Sequence, residues 1–282
     1  MQKLSTILFI SLLFCGFRQI NMNESNHNTL TSQNKISIVQ TTNERGNIGN
    51  TGNKRWFEPA TLDTTLNFSF RTQLSLKHSD SVFINEYFLD NETLDSITKT
   101  FDNRHLEALA IEKHLLKTNS EFFKRDTKGL HVKLKNGDWK LLTLDQMSDE
   151  ADNTFEHFFK EFGYYSIRVQ WGEGNGYKLV NYVDGTVSPI FGRPYFSPNG
   201  LYVISVNFDI EAGYSENGFQ LFRIKNGQLQ HLGDFKPTSW GPISAKWLDN
   251  NMLILKNQTI DDNNGNSHLI DFYSELRIKN GG

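Results

Sequence analysis

Four short turns constrain this chain more than any other feature. Asn136-Gly137, Asp184-Gly185, Asn226-Gly227 and Asn280-Gly281 each sit beside residues that alternate apolar and polar. Asn-Gly and Asp-Gly accept positive φ, which a two-residue hairpin turn requires to follow the twist of its strands. The flanks recur too, as Leu134-Lys135-Asn136-Gly137, Ile224-Lys225-Asn226-Gly227 and Ile278-Lys279-Asn280-Gly281. Successive turns lie roughly 40–55 residues apart, the period of an array of multi-stranded sheets. A second element recurs between them. Pro194-Tyr195-Phe196-Ser197-Pro198-Asn199-Gly200-Leu201-Tyr202-Val203 matches Ala245-Lys246-Trp247-Leu248-Asp249-Asn250-Asn251-Met252-Leu253-Ile254 in pattern. In each, an aromatic residue precedes a turn and an aliphatic strand follows.

The turn Tyr195-Phe196-Ser197-Pro198-Asn199-Gly200 resembles the FSPDG turn of TolB-type and tryptophan-aspartate-repeat β-propeller blades. Residues 163–247 also resemble exported bacterial proteins without assigned activity that carry such blades. The resemblance implies a mainly β fold of propeller-blade-like antiparallel sheets in 129–282, with one or two short helices. It implies no particular activity. About three units fit in that span, whereas a closed ring takes roughly four blades or more. Strands at 66–76 and 82–89 would complete a ring; otherwise the sheets pack as an open or sandwich-like assembly.

The β-rich domain is expected over 56–282, with order beginning near Trp56. Leu66, Phe68, Phe70, Thr72, Leu74 and Leu76 alternate with polar residues, the period of one half-buried strand. Val82–Leu89 reads as a second strand. Leu106, Leu109, Ala110, Lys113 and Leu116 approximate helical spacing, and Asp102 or Asn103 can cap a helix over 102–117. Phe155, Phe158, Phe159 and Phe162 also fit helical spacing and read as a short helix or an aromatic loop plug.

Two segments of different character precede the domain. Met1-Gln2-Lys3 leads into an apolar run from Leu4 to Phe17, which Arg18 ends. A positive charge before an apolar stretch of ~7–15 residues is the pattern of a secretory signal. As a helix this run spans ~21 Å, short of the ~30 Å hydrocarbon core, so residues 1–20 read as a signal peptide rather than an anchor. Cys15, in Leu12-Leu13-Phe14-Cys15-Gly16, resembles the lipobox cysteine of bacterial lipoproteins. Leu12 fits that pattern and Phe14 departs from it, which leaves lipidation at Cys15 or cleavage after Gly16. In both cases the mature domain holds no cysteine and cannot rely on a disulfide. Residues 21–55 are rich in Asn, Ser, Thr and Gly. Such a stretch buries too little to offset its ordering entropy and reads as a disordered polar linker.

The 282 residues carry 29 Lys+Arg against 32 Asp+Glu, a net charge of −3 that argues against a nucleic-acid partner. No apolar run reaches the length of a membrane span, so membrane contact is expected only through a lipid on Cys15. HExxH, GxSxG and phosphate-cradling loops are absent, and no cofactor or metal is expected. Asp261-Asp262-Asn263-Asn264-Gly265-Asn266 invites a calcium-loop reading, but Phe272 stands where the twelfth-position Glu is needed.

Two stretches carry the candidate ligand-binding residues. In Trp171-Gly172-Glu173-Gly174-Asn175-Gly176-Tyr177, the glycines let the backbone approach a ligand closely. Trp171 and Tyr177 offer flat faces to a sugar or peptide, with Glu173 and Asn175 as hydrogen-bonding groups. The bland alternative is a glycine-rich hairpin whose aromatics belong to its strands. In Phe208-Asp209-Ile210-Glu211, Asp209 and Glu211 would share one face of a strand and could coordinate Ca²⁺ or act as an acid/base pair. There the bland alternative is a solvated strand end with a carboxylate paired to Arg223 or Lys178. The leading expectation is an exported envelope protein, periplasmic, lipid-anchored in the outer membrane or secreted. It would be a non-enzymatic module that binds an unknown envelope protein or a glycan. The rival is an envelope hydrolase acting on a glycan or peptide through Asp209, Glu211 and Glu173, which needs two carboxylates converging at ~5–10 Å.

Overall fold

The computed structural model describes residues 49–50, 55–83, 89–99, 101, 103–142, 152–171, 174–261 and 267–280. The expected signal peptide, Cys15 and residues 21–48 of the expected linker lie outside the described residues. At the end of that linker, β1 (Gly49–Asn50) pairs with β2 (Arg55–Trp56). Next come β3 (Asp63–Asn67) and β4 (Thr72–Ser79), then helices α1 (Asn91–Thr98) and α2 (Arg104–Asn119). Strands β5 (Phe123–Asp126), β6 (Gly129–Lys133) and β7 (Trp139–Leu142) form a three-stranded antiparallel meander. A four-stranded meander follows from β8 (Asp152–Phe159), β9 (Tyr164–Trp171), β10 (Gly174–Asn181) and β11 (Val187–Ile190). A second one contains β12 (Arg193–Phe196), β13 (Tyr202–Asn207), β14 (Gly218–Lys225) and β15 (Gln228–Phe235). The last sheet takes β16 (Trp240–Trp247), β17 (Met252–Asp261) and β18 (His268–Asn280) and adds the early hairpin, in the order β16-β17-β18-β4-β3. The fold is mainly β, built of blade-like antiparallel sheets with two helices.

Three hydrophobic cores join the four large sheets in chain order. Phe123, Val132, Phe155, Tyr165 and Ile167 share a core with Leu115 of α2. Tyr164 and Leu179 meet Val203 and Phe222 in the second. Ile204, Phe219 and Leu221 meet Leu74, Leu253 and Leu276 in the third. Among the described residues, no fourth core joins the first of these sheets to the last. Each junction also carries one aromatic donor on a backbone carbonyl. Tyr165 OH donates to Lys133 O at 2.6 Å, Tyr164 OH to Gly227 O at 2.8 Å, and Trp247 Nε1 to Tyr195 O at 3.0 Å. Burial in these junctions raises both tyrosines, Tyr164 up to about 12.

The repeated turns fall where sheet geometry needs them. Asn226 and Gly227 both have positive φ, 53° and 74°, and join β14 to β15 in a two-residue turn. Asn136-Gly137 and Asp184-Gly185 sit in the longer turns β6–β7 and β10–β11. Asn280 ends β18, and Gly281 lies outside the described residues. Ser197–Gly200 joins β12 to β13, and residues 248–251 join β16 to β17. These two matching turns are neighbours in space, for Asn199 N–H donates to Asn250 Oδ1 at 3.0 Å.

Three expectations are corrected. Residues 66–76 are not one strand but parts of two, β3 and β4, joined by a turn in which Phe70 and Arg71 both have φ of 57°. Leu66 pairs with Leu74 across the hairpin, so the even spacing continues through the turn and mimics a single strand. The turn docks on the neighbouring sheet through Ser69 N–H to Leu232 O at 2.8 Å, with Phe68 lying on Gly233. Of Val82–Leu89, Val82, Phe83 and Leu89 are not in a strand, and residues 84–88 lie outside the described set. Phe155, Phe158 and Phe159 belong to β8, not to a helix. A bulge between Phe155 and His157 shifts parity, so Phe155 and Phe158 reach the same core three residues apart. The expected helix is α2, capped by Asn103, whose side chain accepts from His105 N–H at 2.8 Å and Leu106 N–H at 3.2 Å.

The hairpin β3–β4 completes the last sheet along eight paired positions of β18, from Tyr273↔Ser79 to Asn280↔Thr72. Leu76 and Leu276 face each other there, fully buried. Leu76→Ala is therefore expected to lower the unfolding free energy by about 2–5 kcal/mol, measured by urea denaturation.

Candidate functional site

The two stretches singled out in the sequence meet at one place. Trp171 ends β9, and its ring lies along Gly174 and Gly176 of β10. A Cβ at Gly174 would stand 2.3 Å from Trp171 Nε1, and one at Gly176 would stand 3.0 Å from its ring. Glycine at both positions is what lets the ring lie flat there. Trp171 is still 36% exposed. The 208–217 loop closes against this hairpin: Asn175 N–H donates to Ser215 Oγ at 2.9 Å, and the Tyr214 carbonyl abuts Gly174. Tyr214 itself is 57% exposed.

Asp209 and Glu211 do not share a strand face, because 208–217 is a loop between β13 and β14. The Asp209 carboxylate accepts from Gly213 N–H at 2.9 Å and Ser215 N–H at 2.6 Å. Its backbone N–H donates to Asn217 Oδ1 at 3.2 Å, and Asn217 Nδ2 in turn donates to Pro237 O and Trp240 O. Asp209 thus fixes the loop's shape. Glu211 is exposed on the loop. Glu173 lies outside the described residues. Arg223 and Lys178 make no ion pair with Asp209 among the described residues.

Tyr177 points elsewhere. Alternation along β10 sends it to the face opposite Trp171, where its OH donates to Glu156 Oε1 at 3.0 Å. Glu156 is the extra residue of the β8 bulge and stands between two sheets. It also accepts from Ser166 Oγ at 2.9 Å, from Arg193 Nε at 3.0 Å and from Arg193 Nη2 at 2.7 Å. Its side chain is 11% exposed and that of Arg193 28%. Burial, with Glu156 beside it, pushes the Tyr177 hydroxyl well above its usual range. Burial alone would lower Arg193, but Glu156 outweighs it and holds the guanidinium charged. This cluster was missed from sequence. A lone Glu inside Phe155-Glu156-His157-Phe158-Phe159 was the available signal, since a carboxylate amid buried aromatics needs a partner.

The outer edge of β8 also seats α2. Phe155 N–H, on the side of β8 away from β9, donates to Glu112 Oε2 at 2.7 Å. Glu112 is bridged by Arg125 of β5 through Nη2 at 2.9 Å and Nε, while Arg125 Nη1 reaches Asp152 at 3.3 Å. Between the helices and the β8–β9 edge lies a cavity of about 160 Å³. Leu89, Leu94, Ala108, Ile111, Leu115 and Phe155 form its apolar walls. Glu107, Glu156, Arg168 and Arg193 are its charged lining. Among the described residues, no group of three or more His, Cys, Asp or Glu is arranged to hold a metal.

No protein-family model matches the chain, and no curated protein matches its sequence. The geometry therefore carries the functional reading. Removing one partner of a mostly buried pair strands the other charge. Glu156→Ala is expected to cost roughly 2–4 kcal/mol, the lower part of the usual range because Arg193 keeps some solvent. Glu156→Ala with Arg193→Met should recover more than half of that loss in the same denaturation assay, as coupled sites do.

Proposed function

We propose that this chain is an exported, non-enzymatic binding module that holds a glycan against the surface formed by Trp171 and Tyr214. The observation that carries this reading is the Trp171 ring, seated on two glycines and still one-third exposed. A flat indole fixed in place offers a ready stacking face for a pyranose ring at little entropic cost. The adjoining loop is held by Asp209, Ser215 and Asn217, so Tyr214 is presented from an ordered frame. Within the Asp209 loop the geometry favours binding over the rival hydrolase reading, whose third carboxylate, Glu173, lies outside the described residues. Asp209 already serves two loop amides, and Glu211 stands exposed rather than beside it on a strand face. In this reading the meanders with their Ser197–Gly200 and 248–251 turns are blades of the TolB-type kind, used as a scaffold for loops.

Export is the second part of the proposal and rests on the apolar run from Leu4 to Phe17 behind Lys3. Among the described residues no helix is long and apolar enough to cross a membrane. Intact-mass measurement of the chain from its native host is expected to show processing, either at Cys15 with added acyl mass or beyond Gly16 without it. An unprocessed Met1 terminus refutes export.

The glycan site is tested by titrating the folded chain calorimetrically with a panel of neutral oligosaccharides. At least one should bind, and Trp171→Ala should weaken it about ten-fold or more, the loss of a principal aromatic contact, at unchanged Tm. No saccharide binding, or equal binding by Trp171→Ala, rejects the reading.

A further inference from the structure

The cavity beside α2 is separate from the Trp171 surface and has the make-up of a small-molecule site. Its volume is about 160 Å³, and an apolar protein cavity of ~150 Å³ accepts a benzene-sized guest. Leu94, Ala108, Ile111, Leu115 and Phe155 give it a greasy wall, and Arg168, Arg193 and Glu156 give it a charged end. Glu156 already neutralises Arg193. Arg168 has no equivalent: among the described residues its guanidinium makes no hydrogen bond or ion pair, although its charge acts on the nearby Tyr177 hydroxyl.

Neither nearby acid pairs with Arg168 among the described residues. Asp152 faces Arg125 at 3.3 Å and His105 at 3.8 Å. Glu107 lines the cavity from the first turn of α2, where the positive end of the helix favours a carboxylate. The lining thus holds two acids and two arginines, of which Arg193 is ion-paired and Arg168 is not. A planar guanidinium beside an apolar wall recognises a carboxylate in a two-pronged fashion.

The geometry points to a binding site for a small amphipathic carboxylate. A benzene-sized or six-carbon body would lie against the α2 wall, and its carboxylate would sit on Arg168. Calorimetric titration of the full chain with phenylacetate and hexanoate tests this against phenylacetamide and hexanamide, which keep the body and lose the charge. Each carboxylate is expected to bind at least ten-fold more tightly than its amide. Arg168→Gln should erase that preference, and Arg168→Lys should retain part of it. Ala108→Leu fills the cavity from α2 and Leu94→Phe fills it from α1, so whichever folds with native circular dichroism should bind none of the four compounds. Trp171→Ala should leave carboxylate binding unchanged, which separates this site from the saccharide surface. Absence of carboxylate binding by the wild type, equal affinity for acid and amide, or binding that survives a folded cavity-filling variant overturns the proposal.

Discussion

One inserted residue in β8 organises the middle of this molecule. The bulge at Glu156 has two consequences at once. It turns the Glu156 carboxylate toward Tyr177 and Arg193 at the junction with the next sheet. It also brings Phe155 and Phe158 onto one face, where both pack against Tyr165. A regular strand would send those phenylalanines to opposite faces. The Glu156 contact between sheets and the shared face of the two rings follow from that single break in register. Bulges recur beside binding and catalytic sites because they re-aim a side chain without disturbing the rest of the sheet.

Strand β9 supplies the complementary constraint. Tyr164 and Tyr165 are adjacent and therefore point to opposite faces. One hydroxyl reaches Lys133 O and the other Gly227 O, so the central sheet is tied to both neighbours by consecutive residues. Hydrophobic packing alone is tolerant of small sliding motions between sheets. A directed hydrogen bond in a buried junction is not, because leaving the hydroxyl or the carbonyl unpaired costs about 1–3 kcal/mol. Trp247 plays the same part at the third junction through Tyr195 O. That rigidity suits the proposed binding function, in which an ordered Trp171 would spend little entropy on a ligand.

Much of the architecture was legible because its signals are local. Asn226-Gly227 encodes its own turn geometry, and the two aromatic-turn-strand elements do mark matching bends of successive sheets. The helix was legible from spacing plus Asn103 at its start. Parity was where local reading failed. The tight turn at Phe70 and Arg71 preserves alternation, so two strands read as one. The bulge at Glu156 breaks alternation, so a strand read as a helix. The candidate site divided in the same way. Trp171, Asn175 and the Asp209 loop do meet, but through glycine contacts and a Ser215 bridge that no spacing rule encodes. Tyr177 reads as a partner of Trp171 from sequence but lies on the opposite face, since a pairing register is needed to know which side a residue takes. The Glu156 cluster joins residues from four strands and depends wholly on tertiary pairing.

The segments between β3 and α2 solve a problem created by the meanders that follow them. Each four-stranded sheet ends in edge strands, and an unpaired edge invites another chain to add on. The β3–β4 hairpin covers β18 along its C-terminal half. Helix α2 lies by the β8 edge, where Glu112 accepts Phe155 N–H. The early segments are thus coverings for sheets made later in the chain, not a separate unit with its own core. Leu74, Leu76 and Leu115 accordingly contribute to the inter-sheet cores rather than to any core of their own. A helix laid beside a sheet edge cannot match a strand's close fit, because its cylinder meets a twisted ribbon. The gap left under α1 and α2 is lined by whatever side chains the edge presents, here Phe155, Glu156 and Arg168.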